Sequence, residues 1–124
     1  VEKRRQEGAH QAVARRLIGD VEGLDAILYD DEIDTGGTMA SAAALVRGHG
    51  ARSVSAVATH AILSPPSTRI LRQANLDEIV VTNTVAVDPE RRLPNLRIVD
   101  AAPLLAEVIG RIHRGESVGA LVET

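Results

Sequence analysis

The chain of 124 residues contains no cysteine, no phenylalanine and no tryptophan, and only one tyrosine and one methionine. Without cysteine it can form no disulfide, thiolate metal site or thiol nucleophile, which fits a reducing compartment. Cytoplasm is the expected location. The shortage of aromatic rings argues against the stacking platforms that hold single-stranded nucleic acid. Charge of neither sign dominates, since 14 Lys and Arg stand against 17 Asp and Glu for a net of −3. An overall field that weak draws in neither nucleic acid nor an anionic membrane, so no partner of either kind is expected. No apolar run approaches the roughly 18 residues of a membrane helix. The opening Val1-Glu2-Lys3-Arg4-Arg5-Gln6-Glu7 is not followed by the apolar region of a signal peptide.

What is present is aliphatic. With 44% apolar residues, Ala, Val, Leu and Ile can supply the core of one domain spanning 1–124. A start at Val, directly on a charged run, is the start expected of a fragment.

Along the chain, apolar runs of strand length alternate with stretches of helical period. Residues 1 to 11 are polar and mixed in charge, the composition of a mobile loop. Ala12 to Ile18 reads as a short strand. Leu24 to Tyr29 is an almost unbroken apolar run closed by carboxylates, as expected of a strand buried on both faces at the centre of a sheet. Thr38 to Arg47 is Ala-rich, with Met39, Ala42, Ala43, Leu45 and Val46 at helical spacing, and Gly48 and Gly50 stop it. Ser53 to Thr59 is a further strand, and Ser64-Pro65-Pro66-Ser67 opens a helix running to about Ala74. Glu78 to Thr82 and Leu96 to Val99 read as strands, with a surface loop from Asp88 to Pro94 between them. Ala102 to Arg114 is an amphipathic helix carrying Leu104, Leu105, Val108, Ile109 and Ile112 on one face, and Ser117 to Leu121 a short helical tail. This alternation predicts the α/β class, a mainly parallel sheet with helices on both faces and right-handed crossovers.

The segment Asp30-Asp31-Glu32-Ile33-Asp34-Thr35-Gly36-Gly37-Thr38 carries the chemistry. In parallel sheets ligands sit beyond the carboxyl ends of strands, and this segment follows such an end. Gly36 and Gly37 lack β-carbons, so the backbone can turn through positive φ and aim successive N–H groups at one point. That point is a helix N-terminus, which favours an anion, and the hydroxyls of Thr35 and Thr38 add donors. A phosphate monoester suits it. Asp30 and Asp31 precede this nest by enough chain to reach the far end of a sugar phosphate and accept from vicinal hydroxyls. The plainer reading, a strand end followed by an ordinary helix cap, leaves unexplained why Asp30, Asp31 and Asp34 crowd together against their mutual repulsion. No P-loop or dinucleotide fingerprint is present.

These residues resemble the type I phosphoribosyltransferase signature. The wider chain is similar to the C-terminal half of the ribose-phosphate diphosphokinase family, through Lys3-Arg4-Arg5, Gly19-Asp20-Val21-Glu22-Gly23, Thr59-His60-Ala61-Ile62-Leu63-Ser64 and Asp77-Glu78-Ile79-Val80-Val81-Thr82-Asn83-Thr84. Similarity continues through Pro103-Leu104-Leu105-Ala106-Glu107 to Gly115-Glu116-Ser117-Val118. The resemblance implies a type I phosphoribosyltransferase-like fold and transfer of diphosphate from ATP to ribose 5-phosphate. By the same resemblance Lys3 and Arg5 act on the phosphoryl transfer from a flexible loop. Arg5, Asp30, Asp34, Thr35, Gly36, Gly37 and Thr38 bind ribose 5-phosphate, and Asp31 joins them through a magnesium-bound water. Mg2+ and ATP are the implied cofactor and co-substrate, and a homo-oligomer, a hexamer in the family, the implied assembly. Glu32 stands where the family usually has an apolar residue, and Pro65 where it has glycine. A nucleobase phosphoribosyltransferase would use the same loop beneath an aromatic hood, for which the chain has almost no rings. A regulatory module that only binds sugar phosphate is the non-enzymatic alternative.

The four histidines, His10, His49, His60 and His113, show no paired metal-ligand spacing. His60 ends a strand on the face where ligands bind. Arg91-Arg92 reads as a solvated patch.

Overall fold

The computed structural model describes residues 2–4 and 13–121, with backbone alone for 2–4 and 13–16. Strand β1 (Glu2–Arg4) pairs antiparallel with β2 (Val13–Arg16). The first of these falls inside the stretch expected to be a loop. Backbone pairing asks for no apolar side chain, so a charged tripeptide opposite Val13 and Ala14 forms a ladder that composition hides. The rest of the expected loop lies outside the described residues.

The main sheet has four parallel strands in the order β3 (Asp25–Ile33), β4 (Ser53–Ala61), β5 (Ile79–Thr82) and β6 (Leu96–Val99). Helix α1 (Gly37–Gly48) joins β3 to β4, α2 (Ser67–Gln73) joins β4 to β5, and α3 (Ala102–Arg114) follows β6. The parallel sheet and the α/β class are as expected. Strands advancing in one direction with right-handed crossovers place α1 and α2 on the same face. There Met39, Ala43 and Val46 of α1 and Leu71 of α2 close over Val54, Ala56, Ala58, Ile79 and Val81. No aromatic ring enters this core, whose density comes from small and branched side chains interdigitating.

Strand β3 is the edge of the four-stranded sheet, not its centre, and is not buried on both faces. Ile27 and Tyr29 are 70% and 75% exposed, while Leu28, pointing the other way, packs on the core. An apolar run alone does not distinguish an interior strand from an edge strand with one open face. Helix α3 spans the expected residues and ends at Gly115 in the left-handed region. Its stripe of Leu104, Leu105, Ile109 and Ile112 is exposed. Helix α2 begins at Ser67 with Pro66 at its N-cap, and its C-cap is Ala74. The Asp88–Pro94 loop holds a 3-10 turn, Pro89–Arg91, capped by the Asp88 carboxylate accepting from the Glu90 N–H at 3.0 Å, and it buries Leu93. The expected helical tail is a second 3-10 turn, Gly119–Leu121.

Two carboxylates pin the amino ends of the strands. Asp25 accepts from Arg52 Nε at 2.8 Å, from a second Arg52 nitrogen and from Ser53 Oγ at 2.7 Å. The Arg52 hydrogen bond above all, with that of Ser53, holds the Asp25 carboxyl down to about 2. Asp77 accepts from the Val54 N–H at 2.6 Å and from Arg47 Nη2 at 2.7 Å. The Val54 N–H is the main cause of its lowered pKa. These ties fix α1, β3, β4 and β5 at one end and leave the carboxyl ends of the strands to the loops.

Candidate functional site

At the carboxyl end of β3 the strand runs on through Asp30, Asp31 and Glu32 to Ile33. The acidic residues therefore lie in extended backbone, and only Asp34 to Gly36 form the turn. The reason is Ile33: it is 1% exposed, and its carbonyl accepts from the Leu63 N–H at 3.0 Å, so a core anchor pulls its charged neighbours into the ladder. The Asp30 carboxylate accepts from the Asp31 N–H at 3.1 Å, and the Asp31 carboxylate from the Glu32 N–H at 3.0 Å.

Gly36 caps α1 with φ +81°. It is also a point of close packing, since a β-carbon there would lie 2.8 Å from Leu71 Cγ. Positive φ and lack of room both demand glycine. The carbonyl of Gly36 accepts from the Ala40 N–H at 2.9 Å, which starts the helix. Among the described residues, the amides of Thr35, Gly36, Gly37 and Thr38, the hydroxyls of Thr35 and Thr38 and the carboxylate of Asp34 make no hydrogen bond, and no cation pairs with Asp31 or Asp34. A row of unused donors at a helix N-terminus is the arrangement an anion completes. A cleft of about 370 Å³ has Asp30 and Thr38 on its wall, with Leu28, Tyr29 and Met39. The two ends of the segment singled out by sequence thus face one space.

Lys3 lies in β1 opposite Ala14. Arg5 falls outside the described residues. Arg91 is not a solvated patch with Arg92: its Nη1 donates to the Leu63 carbonyl at 3.1 Å and its Nε stands 3.8 Å from Asp88. No group of three or more His, Asp or Glu side chains able to hold a metal occurs among the described residues.

Beside this segment is a cluster to which the sequence assigned no role beyond placing His60 at a strand end on the ligand-binding face. His60 Nδ1 is 2.9 Å from Thr84 Oγ1, and Thr84 Oγ1 is 2.9 Å from Thr82 Oγ1. Both threonine hydroxyls lie within hydrogen-bond reach of the Thr59 carbonyl, at 2.7 Å from Thr82 and 3.0 Å from Thr84. Next to it, Asn83 Nδ2 donates to Asp100 at 2.6 Å while Asn83 Oδ1 accepts from the Ala101 N–H. The Ala102 N–H and then Asn83 lower the pKa of Asp100. The Thr82-Asn83-Thr84 triplet at a strand end was the available signal, and its partners came from β4 and the start of α3.

The phosphoribosyl synthetase-associated domain family matches residues 7–123. The chain belongs to that family. As a phosphoribosyl synthetase-associated domain it is similar to proteins called ribose-phosphate pyrophosphokinase. One, from a Nostoc species, is 46% identical over 122 residues, 98% of this chain and 36% of the relative. Another, from Mycobacterium leprae, is 45% identical over 114 residues, 92% of this chain and 35% of the relative. The domain therefore spans about a third of the length of these relatives. It also resembles the crystal structure of phosphoribosylpyrophosphate synthetase from Mycobacterium smegmatis, with a TM-score of 0.76 at 43% identity, over 81% of this chain and 34% of that one.

Proposed function

We propose that the domain is the ribose 5-phosphate-binding part of a ribose-phosphate diphosphokinase. The carrying observation is the turn from Asp34 to Thr38, with its unused donors at the start of α1 and Asp30 and Thr38 on one cleft. The 5-phosphate occupies the donors of Thr35 to Thr38, and Asp30 and Asp34 accept from the ribose hydroxyls. Held so, the C1 hydroxyl attacks the β-phosphorus of ATP: the new O–P bond forms, the bridge to the α-phosphate breaks, AMP leaves and the hydroxyl proton passes to solvent. The products are 5-phosphoribosyl 1-diphosphate and AMP.

Lys3 and Arg5 are the cations proposed to meet charge developing on the transferred phosphates, where positioning and electrostatics supply most of the catalysis. Arg5 also reaches ribose 5-phosphate. Magnesium holds to few protein ligands and many waters and phosphates, so the exposed oxygen donor of Asp31 fits it through water. Bound there, it would neutralise phosphate charge. The relatives' remaining two thirds supply the rest of the ATP site, and the exposed stripe of α3 supports a homo-oligomer.

The test is formation of AMP from ATP, magnesium and ribose 5-phosphate by this chain combined with the portion of a relative that it does not span. Turnover that disappears with Lys3→Ala supports the assignment; no AMP from the folded combination overturns it.

A further inference from the structure

We propose that His60 is a substrate-contacting residue of this site, presenting its Nε2 to the 5-phosphate of the sugar. The inference rests on the reading of the Asp34–Thr38 turn as a phosphate cradle and adds a group from a neighbouring strand.

Register places His60 there. Asp30 pairs with Ala58 and Glu32 with His60 across the parallel β3–β4 ladder. Paired residues of adjacent strands lie side by side, so His60 stands next to Glu32, at the start of the segment that leads into the cradle. Strands lie roughly 5 Å apart, and the cradle begins two residues beyond Glu32. The imidazole is exposed at the carboxyl end of its strand, the edge at which parallel sheets bind ligands.

The ring is also held. Thr84 takes Nδ1, and Thr84 is in turn fixed by Thr82 and the Thr59 carbonyl. A hydrogen bond at one imidazole nitrogen sets the orientation of the other. Among the described residues Nε2 has no partner. A merely structural histidine gains nothing from an anchored ring whose far nitrogen is left to solvent beside an anion cradle.

The experiment is titration of the 124-residue chain with ribose 5-phosphate and, separately, inorganic phosphate, followed by NMR of the histidine ring protons. His60→Ala is expected to raise the Kd for both by roughly ten-fold, the effect of one hydrogen bond to a charged group. Thr84→Val is expected to weaken binding by less and to broaden the His60 ring signal while leaving the melting temperature near that of wild type. The His60 ring signal should move on binding, and that of His49, tied to the Leu45 carbonyl at the far end of α1, should not. Unchanged affinity in His60→Ala, while Asp34→Ala still weakens ribose 5-phosphate binding, overturns the role of His60 and spares the cradle. Absence of binding by the wild-type chain removes the cradle, and His60's role with it.

Discussion

Gly36 sits against Leu71 so closely that a β-carbon added to it would come within 2.9 Å of two Leu71 side-chain carbons. The residue that caps α1 is thereby locked to α2, and the shape of the Asp34–Thr38 segment depends on a core contact. Gly36→Ala adds both left-handed strain and overpacking, a loss of roughly 2–4 kcal/mol, read as a melting temperature lower by on the order of 10 °C. Leu71→Ala alone opens a cavity, but combined with Gly36→Ala it admits the new methyl. The double variant should lose less than the sum of the singles; strict additivity would mean that the two residues do not touch.

Asp77 joins α1 to β4 through Arg47 and the Val54 N–H. Val54 is fully buried, so Asp77→Ala leaves a buried donor without its acceptor. Hydrogen exchange at the Val54 amide should accelerate markedly and the melting temperature fall, with Asp77→Asn intermediate because it keeps an acceptor oxygen. Unaltered exchange in Asp77→Ala would remove this tie from the structure.

The Asp25 carboxyl, held at about 2 against an ordinary 3.8 by Arg52 and Ser53, stabilises the folded state where it is ionised. A depressed carboxylate contributes fully above its unfolded pKa, and the contribution is lost as pH falls through the folded one. Arg52→Ala should therefore lower the melting temperature at pH 5, with the difference from wild type shrinking toward pH 2. The Asp25 carboxyl carbon, followed by NMR, should titrate nearer 3.8 in the variant. A difference in melting temperature independent of pH would contradict the pairing.

Much of this was legible in sequence, for reasons that vary by element. Strand β6 and helix α3 match their expected spans residue for residue, because period and stop signals agree: alternation for Leu96–Val99, Gly115 after Arg114. The acidic strand end followed by Asp34 to Thr38 pointed to the proposed phosphate site, since Gly36 at positive φ beside unused threonine hydroxyls at a helix start suits an anion. Legibility failed where sequence encodes local preference but not neighbours. Nothing in Leu24 to Tyr29 says that no strand lies beyond β3 among the described residues. Asp30 to Glu32 look like loop residues because they are charged, yet Ile33 draws them into the ladder. The Thr84 pedestal under His60 spans 24 residues of sequence, a separation that no motif reads.

The exposed stripe of α3 makes its own forecast. Ile109, 67% exposed, lies on a face that association would cover. In sedimentation velocity the wild-type chain should show a concentration-dependent oligomer, and Ile109→Glu should shift the population to monomer. A wild-type chain monomeric at all concentrations would contradict assembly through this helix.

The most direct test of the sugar-phosphate site is isothermal calorimetry of the chain with ribose 5-phosphate. Saturable binding is expected, weakened ten-fold or more in a folded Asp34→Ala variant, as loss of a charge-assisted hydrogen bond implies. Equal affinity in the two proteins, or no binding by the wild type, would contradict the assignment of Asp34 to Thr38 as the site.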